Sequence, residues 1–308
     1  MNIYYHPNYN ISLGVLNYLH PFDGLKFKKV VKAIGDLPSV NIVEPLKPIS
    51  SEQILVSASG LMKRALNGNK RVILQALEIP YIPLLPFSVI DKRILLPMRW
   101  GSGGTLKASI DALENNSICW NLSGGYHHAS QHSAQGFCIY NDIGITYEEL
   151  INQGRISSSD KILIIDIDAH HGNGNARWFC ENKQVTLLDI YNDDIYPKTF
   201  SSKQRVDISV PLKNGTGGVE YLNSLKLALA KLKTDFKLAF VVAGTDVLST
   251  DPLGGLKLTI EESVKRDQLV FDFLKQANIS SVFVGGGGYS KDSSKAIIES
   301  IKNLSQSA

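Results

Sequence analysis

Two carboxylates and two imidazoles lie within six residues of the chain, at Asp166, Asp168, His170 and His171. They follow the aliphatic run 162–165, which is typical of a buried strand in a parallel sheet. If the chain stays extended, strand alternation places Asp166, Asp168 and His170 on one side. A carboxylate and an imidazole two residues apart suit a divalent metal ion, above all Zn²⁺. Because Asp-x-His also occurs by chance, this stretch alone does not establish a metal site.

Histidines, a carboxylate and a tyrosine follow other predicted strands in the same way. His127 and His128 come after one aliphatic run, Asp246 after another, and Tyr289 after a third that ends in glycines. In open α/β sheets ligands bind at the carboxyl ends of the strands, where glycines let the backbone approach a ligand closely. A histidine pair beside carboxylates can act as an acid–base set, and Asp246 can complete a metal's protein ligands. The sequence therefore favours a metal-assisted hydrolase.

Aliphatic runs alternate with helical patterns from residue 118 onward, which predicts an α/β fold with a central parallel sheet and helices on both faces. The predicted strands are Ile118–Leu122, Ile162–Ile167, Val185–Leu188, Leu238–Val242 and Val282–Val284. The predicted helices are Ile143–Ile151, Asn175–Cys180, Val219–Leu232, Ile260–Lys275 and Ser294–Leu304. Because no repeat, low-complexity tract or linker interrupts the chain, we predict one domain over residues 1–308.

Prolines act against a helix in the segment that precedes these elements. They are Pro80, Pro83, Pro86 and Pro97. Proline lacks a backbone N–H and clashes with the preceding helical turn, so we predict a structured loop or rim there. The next helix is expected at about Thr105–Leu113.

Composition excludes several classes of protein. The chain has 308 residues, of which 44% are hydrophobic and 20% are charged, as in an ordinary globular protein. Its net charge of +3 is small and dispersed, which argues against direct binding of nucleic acid. No apolar run approaches the roughly 18 residues of a membrane span. Three cysteines indicate a reducing compartment, and with no secretory signal visible at the start we expect a cytoplasmic protein.

Five motifs, in order along the chain, resemble those of the zinc-dependent histone deacetylases. They are Gly125–Ala129, Gly136–Asp142, Asp166–Gly174, Ala243–Asp246 and Gly286–Tyr289. Further motifs resemble the class IV branch of this family, namely His20–Asp23, Gly103–Thr105, Tyr191–Asn192, Ile195–Pro197 and Asp251–Leu256. The resemblance runs from about residue 3 to residue 304. It implies a single histone-deacetylase-like catalytic domain with the arginase-deacetylase fold.

The resemblance also implies a metal and its ligands. Asp168, His170 and Asp246 would bind Zn²⁺ and leave a position open for water and the substrate carbonyl. The ion would polarise the acyl carbonyl and lower the pKa of the water. Tyr289 would donate a hydrogen bond to the developing oxyanion.

The histidine pair would handle the protons, according to the same resemblance. His127 would be paired with Asp166, and His128 with Asn173. Class I enzymes have an aspartate where Asn173 stands. A neutral partner raises the pKa of His128 less, so which histidine is the base and which the acid stays open.

The resemblance further implies residues that hold the substrate and a second kind of ion. The lysine stem would lie in a tunnel lined by Gly125, Gly136, Phe137 and Tyr196. Monovalent cations, K⁺ among them, would be bound at positions that include Asp166, Asp189 and Phe179.

We therefore interpret the chain as a zinc-dependent protein lysine deacylase, a hydrolase that cleaves the ε-N-acyl amide of lysine. The partner is an acylated lysine of a protein or peptide, and long fatty-acyl chains are expected beside acetyl if an apolar cavity lies beyond the metal. Gly124, Gly125 and Ala129 leave room for such a cavity, with Tyr81–Pro97 as its wall. Two alternatives stay open: an amidohydrolase of small acylated amines such as acetylpolyamines, and a non-catalytic acyl-lysine binder. The sequence does not indicate the oligomeric state.

Overall fold

Eight parallel strands form one sheet within the residues that the computed structural model describes, which are 1–11, 22–56 and 68–307. The strands are β1 (Asn2–Tyr4), β2 (Asn41–Val43), β3 (Ile118–Asn121), β4 (Ile162–Asp166), β5 (Val185–Asn192), β6 (Ile208–Leu212), β7 (Leu238–Val242) and β8 (Ser280–Val284). Their order across the sheet is β2-β1-β3-β8-β7-β4-β5-β6. Two residues of the predicted class IV motif, His20 and Pro21, lie outside the described residues.

Helices cover both faces of the sheet, as predicted. They are α1 (Lys26–Ile34), α2 (Ser51–Val56), α3 (Lys70–Ala76), α4 (Phe87–Ile90), α5 (Leu96–Asn115), α6 (Asp142–Asn152), α7 (Asn173–Trp178), α8 (Phe200–Lys203), α9 (Gly218–Leu229), α10 (Ile260–Gln276) and α11 (Ser293–Ser307). Alternate residues of β4 enter different cores: Ile162 and Ile164 pack on one face, and Leu163 and Ile165 on the other. This two-sided burial explains why the strand is aliphatic throughout.

The proline-bracketed segment is more helical than predicted. The chain is helical from Phe87 onward, because a π-helical turn over Asp91–Leu95 joins α4 to α5. The expected start near Thr105 was therefore wrong by nine residues, since α5 begins at Leu96. Pro86 precedes α4 as its cap, and Pro97 lies in the first turn of α5, where a missing N–H is tolerated.

Glycine brings α5 very close to its neighbours. A Cβ atom added at Gly104 would overlap the hydroxyl of Tyr9, which donates a hydrogen bond of 2.9 Å to Asn121 Oδ1. The helix thus lies directly against the end of β3, the strand that leads into the histidine pair.

The sheet order explains why distant motifs meet. The four strands β3, β8, β7 and β4 are neighbours, and each of them is followed by one of the predicted motifs. Since all strands are parallel, their carboxyl ends lie at one edge of the sheet. This edge carries the candidate site.

Candidate active site

Asp168, His170 and Asp246 form a buried cluster at the carboxyl edge of the sheet. One ligand atom of each lies within 4.8 Å of the others. His170 Nδ1 is 2.8 Å from Asp246 Oδ2 and 3.2 Å from Asp168 Oδ1. Among the described residues this is the group of histidine, cysteine and carboxylate side chains arranged to hold a metal ion.

The charges of this cluster fit a divalent cation. Burial and the neighbouring carboxylate of Asp168 raise the pKa of Asp246 to about 7. Burial also disfavours the charged form of Asp168, but His127 and His170 outweigh it and hold the pKa of that carboxyl well below its usual range. Two buried carboxylates around one nitrogen ligand are a donor set that suits Zn²⁺. The residues present therefore fit the metal that the resemblance implies.

Backbone contacts hold the two carboxylates in place. Gly287 N donates to Asp168 Oδ2 at 2.7 Å, and Ala169 N donates to Asp246 Oδ1 at 2.9 Å. The fully buried Arg266 connects the loop after β4 with the loop after β7. Its Nη1 donates to the carbonyls of Ile167 and Gly244, next to Asp168 and near Asp246. Arg266 was not predicted from the sequence, because no local motif marks a side chain that acts through backbone carbonyls.

The histidine pair lies beside this cluster, with ring centroids 4.1 Å apart. His127 Nδ1 is 2.8 Å from Asp166 Oδ2, and His128 Nδ1 is 2.7 Å from Asn173 Oδ1. The other nitrogen of His127, Nε2, is 3.8 Å from Asp168 Oδ1. The structure thus brings together both pairs named in the sequence analysis, with one nitrogen of His127 turned to the cluster.

The two histidines have opposite proton affinities. Burial disfavours the charged form of His127, but the carboxylates of Asp166 and Asp168 outweigh it and raise its pKa to about 9. For His128, burial and the neighbouring His127 charge lower the pKa well below its ordinary value. At neutral pH the His127–His128 pair therefore holds one charged imidazole and one neutral imidazole. An Asn173 oxygen facing Nδ1 fixes that nitrogen of neutral His128 as a donor and leaves Nε2 able to accept a proton.

Tyr289 lies beside the cluster, at the same cavity as the histidine pair. Its ring lies edge-on to His170 at 6.4 Å and to Phe137 at 5.7 Å. Asp251 Oδ2 accepts the backbone N–H of Tyr289 at 2.7 Å and so fixes the loop. Burial, together with the Asp246 and Asp168 charges, raises the pKa of Tyr289 well above its usual value. The phenol stays protonated and can donate a hydrogen bond.

Lys26 supports the same loop from inside the protein. It is buried, and its Nζ donates to the carbonyl of Gly288 at 3.5 Å. Burial lowers its pKa to about 8, although the carboxylates of Asp246 and Asp168 act in the other direction. Neither Lys26 nor the role of Asp251 was predicted from the sequence.

The residues predicted to line the tunnel lie near the histidine pair, since Gly125, Gly136 and Phe137 line one cavity with His127 and His128. Phe137 contacts Tyr289, and the Tyr196 ring lies 5.1 Å from that of His128 while remaining 40% exposed. A Cβ at Gly125 would lie 2.8 Å from the backbone of Gly285, so only glycine allows the two loops to approach so closely.

An apolar cavity of about 90 Å³ adjoins the histidine pair and Tyr289. Its wall includes Leu77, Ile79, Ile94, Met98, Gly124 and Gly125. Ala129 is buried but does not line it. Cys138 does line it, and burial raises the pKa of its thiol, so the sulfur is not a thiolate at neutral pH.

The three residues expected at monovalent-cation sites differ in their surroundings. Asp166 accepts from Asp168 N through Oδ1 and faces His127 through Oδ2. His171 turns away from the metal cluster, and its Nδ1 contacts Asp189 Oδ2 at 2.6 Å. The other oxygen, Oδ1, is buried with no hydrogen-bond partner among the described residues, and this orphaned anionic atom fits a cation. The carbonyl of Phe179 instead accepts a hydrogen bond of 2.8 Å from Arg205 Nε, so a guanidinium lies where a cation ligand was expected.

A buried Asp-His-Asp cluster beside two histidines, at the carboxyl edge of a parallel sheet, defines a hydrolase site of the metal-assisted kind. A sequence model of the histone deacetylase domain matches residues 81–304. Histone deacetylase 2 of Arabidopsis thaliana is 34% identical over 311 residues, which cover 99% of this chain and 79% of that protein. Histone deacetylase clr6 of Schizosaccharomyces pombe is 31% identical over 199 residues, covering 61% of this chain and 47% of that protein.

The chain therefore belongs to the histone deacetylase family, and it is a hydrolase of the lysine deacetylase type. The parallel sheet with helices on both faces is consistent with the arginase-deacetylase fold. Of the helices in the described parts of the chain, none combines the length and the apolar character needed to cross a bilayer.

Proposed function

We propose that this protein is a class IV histone deacetylase: a zinc-dependent protein lysine deacylase with one catalytic domain over residues 1–308, acting in the cytoplasm. The observation that carries the proposal is the buried cluster of Asp168, His170 and Asp246, beside a histidine pair and a phenol that line one cavity. The class IV motifs support it because their residues brace this site. Asp251 fixes the loop of Tyr289, and Gly104 lets α5 approach β3.

The side chains divide the chemistry as follows. When bound, Zn²⁺ supplies a Lewis acid that polarises the acyl carbonyl and lowers the pKa of the attacking water. His128, neutral and held by Asn173, takes a proton from that water at Nε2. His127, charged through Asp166, stabilises the developing negative charge and can supply a proton to the leaving lysine amine. Tyr289 donates a hydrogen bond to the oxyanion.

A panel of acyl-lysine peptides, assayed with and without a chelator, tests the proposal. Hydrolysis that the chelator removes and Zn²⁺ restores would support a zinc-dependent deacylase. A higher kcat/KM on acetylpolyamines than on any peptide would favour the small-amine hydrolase instead. Peptide binding without turnover in the zinc-loaded protein would favour the non-catalytic binder.

The apolar cavity supports acceptance of long acyl chains. It adjoins His127, His128 and Tyr289, where the acyl carbon must lie, and its distal wall is formed by Leu77, Ile94 and other aliphatic side chains. Each methylene buried there contributes about 0.8 kcal/mol. The cavity of about 90 Å³ holds only the first few methylenes, so its wall must move to admit the rest of an octanoyl or myristoyl chain. We expect kcat/KM on one peptide to rise from acetyl to octanoyl or myristoyl through this adjustment of the wall.

A cavity-filling variant makes this expectation specific. Ile94→Phe places extra volume in the wall and should lower kcat/KM on octanoyl-lysine far more than on acetyl-lysine. Val89→Phe is the matched control, because Val89 lies nearby, is 38% exposed and does not line the cavity. A steady fall of kcat/KM with chain length in the parent enzyme would end the long-chain proposal and leave the zinc hydrolase intact.

A further inference from the structure

Three backbone carbonyls converge on the guanidinium of Arg205. Its Nε donates to Phe179 O at 2.8 Å, and its Nη2 donates to Asn182 O at 2.9 Å and to Val185 O at 2.6 Å. We call the three carbonyls of Phe179, Asn182 and Val185 the carbonyl cradle. Arg205 itself follows α8 and comes from a different part of the chain.

The cradle has the form of a cation site. Carbonyl oxygens arranged around one centre can replace the hydration shell of an ion such as K⁺. The cradle borders the segment between α7 and β5, where Phe179 follows the last helical residue and Val185 begins the strand. A positive charge at its centre would therefore hold that connection together.

Arg205 already supplies this charge. Its side chain is 9% exposed, and its Nη1 donates to Asp207 Oδ2 at 2.8 Å. The same Asp207 oxygen accepts the backbone N–H of Leu187 in β5, which anchors the pair to the sheet. A guanidinium presents its N–H groups in a rigid planar fork, and here that fork serves three carbonyls and a carboxylate. An additional cation in the cradle would have to displace it.

We propose that Arg205 is a covalently attached replacement for the monovalent cation that the resemblance places at Phe179. The carbonyl cradle of this protein then binds no ion, and its charge is supplied by the chain itself. The link matters because α7 begins with Asn173, the partner of His128, and β5 carries Asp189. Because the guanidinium is part of the chain, the geometry of this connection does not depend on the concentration of monovalent salt in solution.

Removing the guanidinium should turn the cradle into an ion site. We expect Arg205→Ala to bind one Rb⁺ per chain more than the parent, counted by equilibrium dialysis and elemental analysis. The Tm of this variant should also rise more steeply than that of the parent when K⁺ replaces N-methylglucamine at constant ionic strength, because an ion that binds only the folded state stabilises it. Arg155→Ala is the matched control: it removes a partly exposed guanidinium whose partners are Glu114 and Gln153 rather than the cradle carbonyls. It should change neither the Rb⁺ count nor the K⁺ response.

Three results would overturn the proposal. The first is a parent protein that binds two Rb⁺ per chain, one of them retained when Asp189 is replaced by Asn. The second is a folded Arg205→Ala protein with the parent's Rb⁺ count. The third is a Tm deficit in Arg205→Ala that K⁺ does not reduce, which would mean a purely structural clamp. If Arg205→Ala does not fold, Arg205→Gln removes the charge with less loss of packing, and the Rb⁺ counts of the parent and of Asp189→Asn still decide the first result.

Discussion

Two imidazole pairs of almost identical geometry lie side by side in this site and behave in opposite ways. The His127–Asp166 and His128–Asn173 contacts differ by only 0.1 Å, at 2.8 and 2.7 Å, and both histidines are buried. Yet the pKa of His127 is raised to about 9, and that of His128 is lowered well below its ordinary value. The charges around each ring, rather than the distance to its partner, set the two proton states. The carboxylates of Asp166 and Asp168 outweigh burial at His127, whereas burial and the charge of His127 prevail at His128.

We expect the largest effect when a carboxylate is removed from the Asp168–His170–Asp246 cluster, which both histidines adjoin. Asp168→Asn or Asp246→Asn removes an anionic ligand, so we expect hydrolysis to fall below detection and zinc content, measured by elemental analysis, to drop. Some loss of thermal stability should accompany it, because metal binding is coupled to folding. Asp235→Asn, at an exposed pair with Lys161, is the control. Near-normal kcat and full metal content in either variant would contradict the assignment of these ligands.

Making the two partners alike is the next test. Asp166→Asn gives both histidines an amide, so the pKa of His127 should fall as the carboxylate that stabilises its charged form is lost. We expect kcat to decrease by about 10²-fold or more, which is the usual scale of acid–base catalysis. The alkaline limb of the kcat/KM profile, set in the parent by a pKa raised to about 9, should move to lower pH. An unchanged rate and profile would show that the charge on His127 is not needed.

Removing the Tyr289 hydroxyl tests the third group of the site while both histidine pairs stay intact. Tyr289→Phe deletes only the hydroxyl, and we expect kcat to fall by about 10²-fold or more, as for the loss of one oxyanion donor. Zinc content and the pH limbs should stay as in the parent, because both imidazole pairs are retained. Tyr196→Phe, which removes the hydroxyl from a 40% exposed ring beside His128, serves as the control. If Tyr289→Phe turned over acyl-lysine like the parent, Tyr289 would merely line the tunnel.

The smallest effect is expected from restoring a charge beside His128. Asn173→Asp places a carboxylate at 2.7 Å from Nδ1, which favours the imidazolium and raises the pKa of His128. Because the base must be neutral, the acidic limb of the kcat/KM profile should move upward by about one pH unit or more. The rate at high pH should change little. A limb that stays in place would mean that another group sets it.

Hydropathy alone was sufficient to predict the centre of the fold. Leu238–Val242 was predicted with the bounds that the structure shows, because β7 is apolar along its whole length. The prediction Val185–Leu188 ended four residues early, since β5 continues to Asn192. Its later polar residues are buried with specific partners, as when Asn192 Nδ2 donates to Gly254 O, and a hydropathy pattern does not show such partners. The strands β2 and β6 were missed because they lie at the two edges of the sheet and carry exposed positions.

The site residues that belong to the family motifs could be predicted from the sequence. Single residues that act through backbone carbonyls could not. The metal cluster and both imidazole pairs come from residues that the resemblance named. Arg266, Lys26 and Arg205 were not found, because their partners are carbonyl groups, which every residue carries. No spacing of side chains along a sequence indicates which carbonyls will converge. That information exists only once the loops are folded.

The contact between Gly104 and Tyr9 also limits how this enzyme can be engineered. Replacing a helical glycine by alanine is a common stabilising choice, worth up to about 1 kcal/mol from helix propensity. At Gly104 the new methyl group would instead overlap the Tyr9 hydroxyl and disturb its hydrogen bond to Asn121. Asn121 ends β3, the strand that leads to the histidine pair. A library designed from propensity scales alone would thus accumulate its least tolerated changes in α5. Thermostabilised versions are better sought on exposed helix surfaces such as that of α9, where Leu227 is 68% exposed.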